Sequence, residues 1–212
     1  MKIDFIDNSA QQYDASAVEI KLPGNKTGGK LYLGDRWSAS LLQLRARKCT
    51  RVVCCSQYLH KGPDEKSVKY LKIDPERDFN DDNSPNPFES AVKFISKALS
   101  KGETVLVHCE TGKSKAAVVA IHYVMMACGM SLSQSYKLVE RCHPEIRPRP
   151  TLVCLLIIEE KRERNNVATV RLNGRKLEFD DVADASVSWN TYMYVAAFVL
   201  LAAVSIYSHA AS

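Results

Sequence analysis

The residues of this chain best suited to chemistry lie within 104–116, which reads TVLVHCETGKSKA. Thr104, Val105, Leu106 and Val107 form a short apolar run rich in β-branched residues, the pattern of a buried strand. Residues 116–128 are apolar on most faces and predict a buried helix. Between them stand His108, Cys109, Glu110, Thr111, Gly112, Lys113, Ser114 and Lys115. A strand that turns tightly into a helix aims backbone N–H groups at one point, and the helix dipole adds positive potential there. An anion is favoured at such a point. The same field favours the thiolate of a cysteine at the head of the loop. A thiolate facing a bound phosphate is a nucleophile facing its electrophile. Gly112 lets the backbone approach that phosphate without a Cβ in the way.

Two other readings of the stretch compete. Gly112-Lys113-Ser114 after an apolar strand suggests a nucleotide-binding loop, but that motif needs glycine where this chain has Val107. Cys109 as a small buried hydrophobe is the plainer alternative. The His-Cys-x-x-Gly spacing between a strand and a helix argues against it.

The chain has 212 residues, enough for one sizeable core and an appendage. Its net charge of +5 suits anionic substrates, and without a long Lys/Arg run no nucleic-acid partner is expected. The seven cysteines show no zinc-like spacing, so neither a metal nor a cofactor is expected. Residues 1–14 are polar and broken by charges, which is not a signal-peptide pattern. A reducing, cytosolic setting is expected, and it suits thiolate chemistry.

Strands are expected at 18–22, 31–34, 51–55, 70–73 and 104–107. Helices are expected at 37–47, 87–100, 116–128, 131–141 and 151–164. This alternation predicts an α/β domain with a largely parallel central sheet flanked by helices. Residues 74–87 read as a long acidic loop carrying Asp74, Asp78, Asp81 and Asp82, and long loops beside a scaffold often carry function. Pro87 suits the first turn of the next helix, where Phe88, Val92, Ile95 and Leu99 fall at helical spacing. Gly102 and Gly129 suit helix C-termini, and Ser131 with Gln134 predicts a capping box. Residues 1–17 carry little signal. Residues 165–186 read as a polar linker, with a marginal hairpin around Asn173-Gly174.

Residues 189–207 read WNTYMYVAAFVLLAAVSIY, and no Asp, Glu, Lys or Arg occurs from Ala185 onward. Nineteen residues at helical rise cover about 28 Å, near the hydrocarbon thickness of a bilayer. Trp189, Tyr192, Tyr194 and Tyr207 sit where interfacial aromatics belong. A single C-terminal transmembrane helix is expected, inserted after translation, with the domain facing the cytosol. Few basic residues flank it, which favours the endoplasmic reticulum over the mitochondrial outer membrane.

VHCETGKSKA resembles the His-Cys-x-x-Gly-x-x-Arg-Ser/Thr loop of the cysteine-dependent phosphatases, in the form used by the dual-specificity branch. The run LYLGDRWSASLLQLRARKCTRVVCCS is similar to the opening of that domain, and a helix, a Pro-rich turn at 143–150 and a final helix are similar to its end. The resemblance covers residues 18–164. Lys115 stands in place of the arginine, Ala116 in place of Ser/Thr, and Pro148-Arg149 where Pro-Asn is usual. The resemblance implies that Cys109 is the nucleophile of a phosphocysteine mechanism, and that His108 supports the loop by hydrogen bonding. It implies that Glu110, Thr111, Gly112, Lys113, Ser114 and Lys115 cradle the phosphate. Asp78 matches the family's placement of its general acid, which leaves Asp81 and Asp82 as solvated loop charges. Lysine cannot reproduce the two-pronged grip of a guanidinium. A slow phosphatase and a pseudophosphatase that binds phosphorylated partners therefore both fit, and the retained Cys109 and Asp78 favour the enzyme. Lys113 matches a lysine common in the superfamily's lipid phosphatases, so phosphoinositides are an alternative substrate. Glu110 stands where those enzymes often have a second lysine, which keeps phosphoproteins first.

Overall fold

The structure is a computed structural model, and it describes residues 17–56, 67–80 and 85–180. Five strands form the central sheet: β1 (Val18–Ile20), β2 (Lys30–Gly34), β3 (Cys49–Cys54), β4 (Lys69–Lys72) and β5 (Thr104–His108). Their order is β1-β2-β5-β3-β4. β5 pairs parallel with both β2 and β3, β3 pairs parallel with β4, and only β1 runs antiparallel, at the edge. The expected largely parallel sheet is therefore present.

The two-residue period of a strand sorts its side chains between two cores. Leu31, Leu33, Val53, Val105 and Val107 enter the larger core. Tyr32, Val52 and Leu106 enter a smaller one with Ala39 and Leu44. Val105, Leu106 and Val107 are all fully buried, as a central parallel strand covered on both faces must be. The smaller core is closed by a 3-10 turn (Trp37–Ala39) and α1 (Leu41–Ala46). One continuous helix was expected there. Instead Ser38 donates from both its N–H and its Oγ to Asp35 Oδ1 at 2.9 Å, which tightens the first turn, and Ser40 is extended as the cap of α1.

The larger core is covered by α3 (Pro87–Leu99), α4 (Lys115–Cys128), α5 (Leu132–Cys142) and α6 (Pro150–Glu163). Residues 116–125 of α4 are all buried, which explains their lack of a polar face. Gly129 ends α4 in the left-handed conformation, at φ 63°. Ser131 and Gln134 form the expected capping box on α5, and Asn86 caps α3 ahead of Pro87. The acidic loop departs from expectation. It contains a short helix, α2 (Pro75–Asp78), because Asp74 caps it by accepting from Glu76 N and Pro75 pre-sets its first turn.

The hairpin within the expected linker is docked on the domain. β6 (Val170–Asn173) pairs antiparallel with β7 (Lys176–Phe179) around Gly174, and Val170 is buried. The reason lies in Glu160 of α6, which is fully buried. Its carboxylate accepts from Leu132 N, Thr169 N and Thr169 Oγ1, each at 2.7 Å. Thr169 Oγ1 in turn accepts from Ser133 N at 2.9 Å. A buried carboxylate at the N-terminus of α5 thus ties α5, α6 and the hairpin together. Among the described residues no helix is long and apolar enough to cross a membrane. The expected anchor at 189–207 lies outside the described residues, as do Asp81 and Asp82.

Removing the Glu160 carboxylate leaves three buried donors without their acceptor. Glu160→Ala should cost about 3 kcal/mol or more. Thermal denaturation should show a midpoint about 6–12 °C below wild type, whereas the exposed Glu163→Ala should leave it almost unchanged.

Candidate active site

Three parallel strands end side by side. Gly34 of β2 and Cys54 of β3 both lie opposite His108, the last residue of β5. Open α/β sheets place their reactive groups beyond such carboxyl ends. Cys109 is the first residue past the edge. Its N–H donates to Gly34 O at 3.4 Å, and Cys55 N donates to His108 O at 2.8 Å. His108 is fully buried beneath the loop, and Cys109 is nearly so.

The loop Glu110 to Ser114 then turns back into α4. Gly112 makes the turn at φ 72°, and a Cβ there would fall 2.9 Å from the carbonyl carbon and oxygen of Gly34. Both the conformation and the close approach require glycine. Arg36 N donates to Glu110 O at 3.4 Å, so the chain after β2 lines the same loop. On the other side Arg147 N donates to Lys113 O at 2.7 Å and Arg149 N to Ser114 Oγ at 3.2 Å. The Pro-rich turn thereby braces the start of α4. Ser114 is the cap residue of α4, yet its side chain makes no capping bond, so the first N–H groups of this helix lack the usual cap acceptor. That is the arrangement an anion site needs.

Each charged side chain of the loop has a partner of opposite sign. Glu110 accepts from Ser56 Oγ at 2.8 Å and faces Arg36 at 3.7 Å. Lys113 pairs with Glu145 at 2.6 Å. Lys115 pairs with Asp74, its Nζ lying 2.7 and 2.8 Å from the two carboxylate oxygens. The Arg36–Glu110 and Lys113–Glu145 pairs are about half exposed, and such pairs contribute little. In the Lys115–Asp74 pair the side chains are only 18% and 6% exposed. Burial works to raise the Asp74 carboxyl, but the hydrogen bond and charge of Lys115 outweigh it and hold it below its ordinary value. Thr111 Oγ1 accepts from Lys113 N at 3.4 Å, inside the loop.

Asp78 ends α2 with a largely buried side chain. Its Oδ2 accepts from Asp74 N at 2.7 Å, and its Oδ1 accepts from Arg77 Nε at 2.9 Å. The carboxylate is folded back against its own helical turn. Cys55 lies one residue beyond Cys54, in the same core as Cys109. Burial, then the neighbouring charge of Cys109, pushes its thiol well above the ordinary range. Cys55 is thus an inert packing group, whereas Cys109 heads the loop. No group of His, Cys, Asp and Glu suited to a metal occurs among the described residues.

Glu110 to Lys115 form one contiguous turn after Cys109, and Asp78 sits on the turn whose cap, Asp74, contacts Lys115. Sequence reading named Asp74 only as one of four acids. Its pairing with Lys115 spans 41 residues and leaves no local pattern. Glu145 and Ser56 were missed for the same reason. A cavity of about 410 Å³ lies elsewhere, between α6 and β6, lined by Ile157, Lys161, Val170 and Leu172. It contains none of the loop residues, so the chemistry and not the cavity volume marks the site.

The family model for the dual specificity phosphatase catalytic domain matches residues 31–162. Dual specificity protein phosphatase 1 of Arabidopsis thaliana is 32% identical over 120 residues, which cover 56% of this chain and 59% of that protein. The chain thus matches less than two thirds of that relative's length. The human tyrosine phosphatase-like serine/threonine/tyrosine-interacting protein superposes with a TM-score of 0.56 at 26% identity, covering 69% of this chain and 96% of that one. A mouse putative dual specificity phosphatase complexed with zinc tungstate gives a TM-score of 0.55 at 25% identity, covering 64% and 84%. With its loop of Cys109, Gly112 and Lys115 at the carboxyl edge of a parallel sheet, this chain belongs to the dual specificity phosphatase family.

Proposed function

We propose that the chain is a membrane-anchored phosphatase that hydrolyses phosphomonoesters on phosphotyrosine, phosphoserine or phosphothreonine proteins. The observation that carries the reading is the placement of Cys109 at the mouth of a loop whose helix N-terminus has no side-chain cap. In the first step the Cys109 thiolate attacks phosphorus, the ester P–O bond breaks, and Asp78 gives its proton to the departing oxygen. In the second step water attacks the phosphocysteine, the P–S bond breaks, Asp78 takes up the water proton, and the thiolate and inorganic phosphate are released. Backbone N–H groups of residues 110–115 hold the phosphoryl oxygens, and Lys115 supplies the positive charge.

A second reading is favoured by a specific observation. Lys115 is occupied by Asp74, and Ala116 offers no hydroxyl to the departing thiolate. A domain so equipped binds phosphorylated partners while turning them over slowly or not at all. Phosphoinositides are a third option, supported by Lys113 and by the apolar segment 189–207 that would hold the domain at a bilayer. The proposed location is the cytosolic face of an intracellular membrane, the endoplasmic reticulum ahead of the mitochondrial outer membrane.

Three outcomes are expected. With aryl phosphates, Asp78→Asn should slow poor leaving groups by about 10²-fold or more and good ones far less, because a general acid matters in proportion to leaving-group basicity. Comparing kcat across a series of phenols checks this, with Cys109→Ser as the blank. A change to Lys115→Arg with Ala116→Ser should raise kcat/KM about 10-fold or more by restoring a bidentate donor. Wild-type turnover equal to the blank and unrescued by this pair selects the binding module. A reporter fused to residues 165–212 should stay in the membrane pellet after alkaline carbonate extraction.

A further inference from the structure

Lys115 is the first residue of α4, immediately after the loop, and both oxygens of the Asp74 carboxylate lie within 2.8 Å of its ammonium. Two anions therefore compete for one cation: the internal carboxylate and any phosphoryl group that enters the loop. A guanidinium has five donors in a planar fork and can serve a carboxylate and a phosphate together. An ammonium is a compact point charge, and two of its three donors already face the oxygens of Asp74. The low exposure of this pair, 6% for the Asp74 side chain, means that water does not screen it as it screens the Lys113 and Arg36 pairs.

The partner of Lys115 is also wired to the proposed proton donor. Asp74 N donates to Asp78 Oδ2 at 2.7 Å, and Asp78 N donates to Asp74 O at 2.8 Å. Asp74 caps α2 as well, through Glu76 N. Both bonds to Asp78 are made by the Asp74 backbone, so the carboxylate can change partner while Asp78 stays in place.

We infer that Asp74 is a positioning residue that clasps Lys115 in the empty site, and that phosphoryl binding proceeds by exchange of the Asp74 carboxylate for the phosphoryl oxygens. This rests on the reading of the Cys109 loop as a phosphate site. The clasp keeps the ammonium beside the loop while the site is empty, at the cost of affinity for the oxyanion. A doubly charged phosphoryl group displaces a carboxylate more readily than a singly charged one, so the clasp selects for phosphomonoesters over diesters.

The test is a double-mutant cycle on the full-length chain, with inorganic phosphate as the calorimetric probe and an aryl phosphate as substrate. Asp74→Asn should tighten phosphate binding about 10-fold or more, and Lys115→Ala should weaken it. Asp74→Asn in the Lys115→Ala background should change it less than about 2-fold. In steady-state kinetics Asp74→Asn should lower KM and leave kcat nearly unchanged, since the backbone bonds between residue 74 and Asp78 remain, a split that simple destabilisation does not produce. Asp74→Ser keeps a capping oxygen for Glu76 N and decides the matter should the Asn variant fold poorly. Phosphate binding by wild type that the Asp74 variants leave unchanged or weaken overturns the clasp and spares the phosphate site. Equal tightening with and without Lys115 also overturns it, since the effect is then general repulsion. Binding by the Asp74 variants and not by wild type supports it. No binding by any form overturns both the clasp and the phosphate site.

Discussion

The parallel pairing of β5 with both β2 and β3 decides where Cys109 stands. Gly34 and Cys54 flank His108 in register, and backbone bonds from Cys109 to Gly34 and from Cys55 to His108 carry the pairing one residue beyond the sheet. Because the side-chain period of a strand is two, a slip of one residue would exchange the two cores and turn Cys109 away from the loop mouth. Gly112 then rests on the Gly34 carbonyl at a distance no Cβ would permit. The sheet therefore positions Cys109 and also shapes the loop that follows it.

Around this frame the charges are arranged in compensating pairs of unequal strength. Glu110 with Arg36, and Lys113 with Glu145, sit in water, where an ion pair exchanges partners at little cost. Lys115 with Asp74 is sheltered, and its strength comes from that shelter. The position that the family gives to arginine is thus occupied by a cation with an internal partner. In the proposed function, activity and phosphate affinity both turn on how readily that partner yields.

The far side of the domain is held by a second buried carboxylate with a different task. Among the described residues Glu160 accepts from backbone N–H groups and the Thr169 hydroxyl and from no charged side chain. It joins the start of α5 to α6 and to the strand after Thr169. The hairpin, which two strands could not stabilise in water, is stable because Val170 and the chain at Thr169 are anchored to this group.

Much of the fold was legible in the sequence because it rests on local periodicity. The apolar run before Cys109, the all-apolar helix after it, the capping box at Ser131 and Gln134, and the glycines at 112 and 129 all declare their conformation within a few residues. The loop that begins at Cys109 was legible for the same reason, since strand, loop and helix are contiguous. What tertiary structure alone decided involves partners far apart in the chain. Asp74 and Lys115, Lys113 and Glu145, Glu160 and Thr169 are joined by folding, and a charge carries no mark of its partner in the sequence. Lys115 read as a weakened phosphate grip from sequence. The fold sets a carboxylate against it, because α2 is capped by Asp74 at the edge of the same loop.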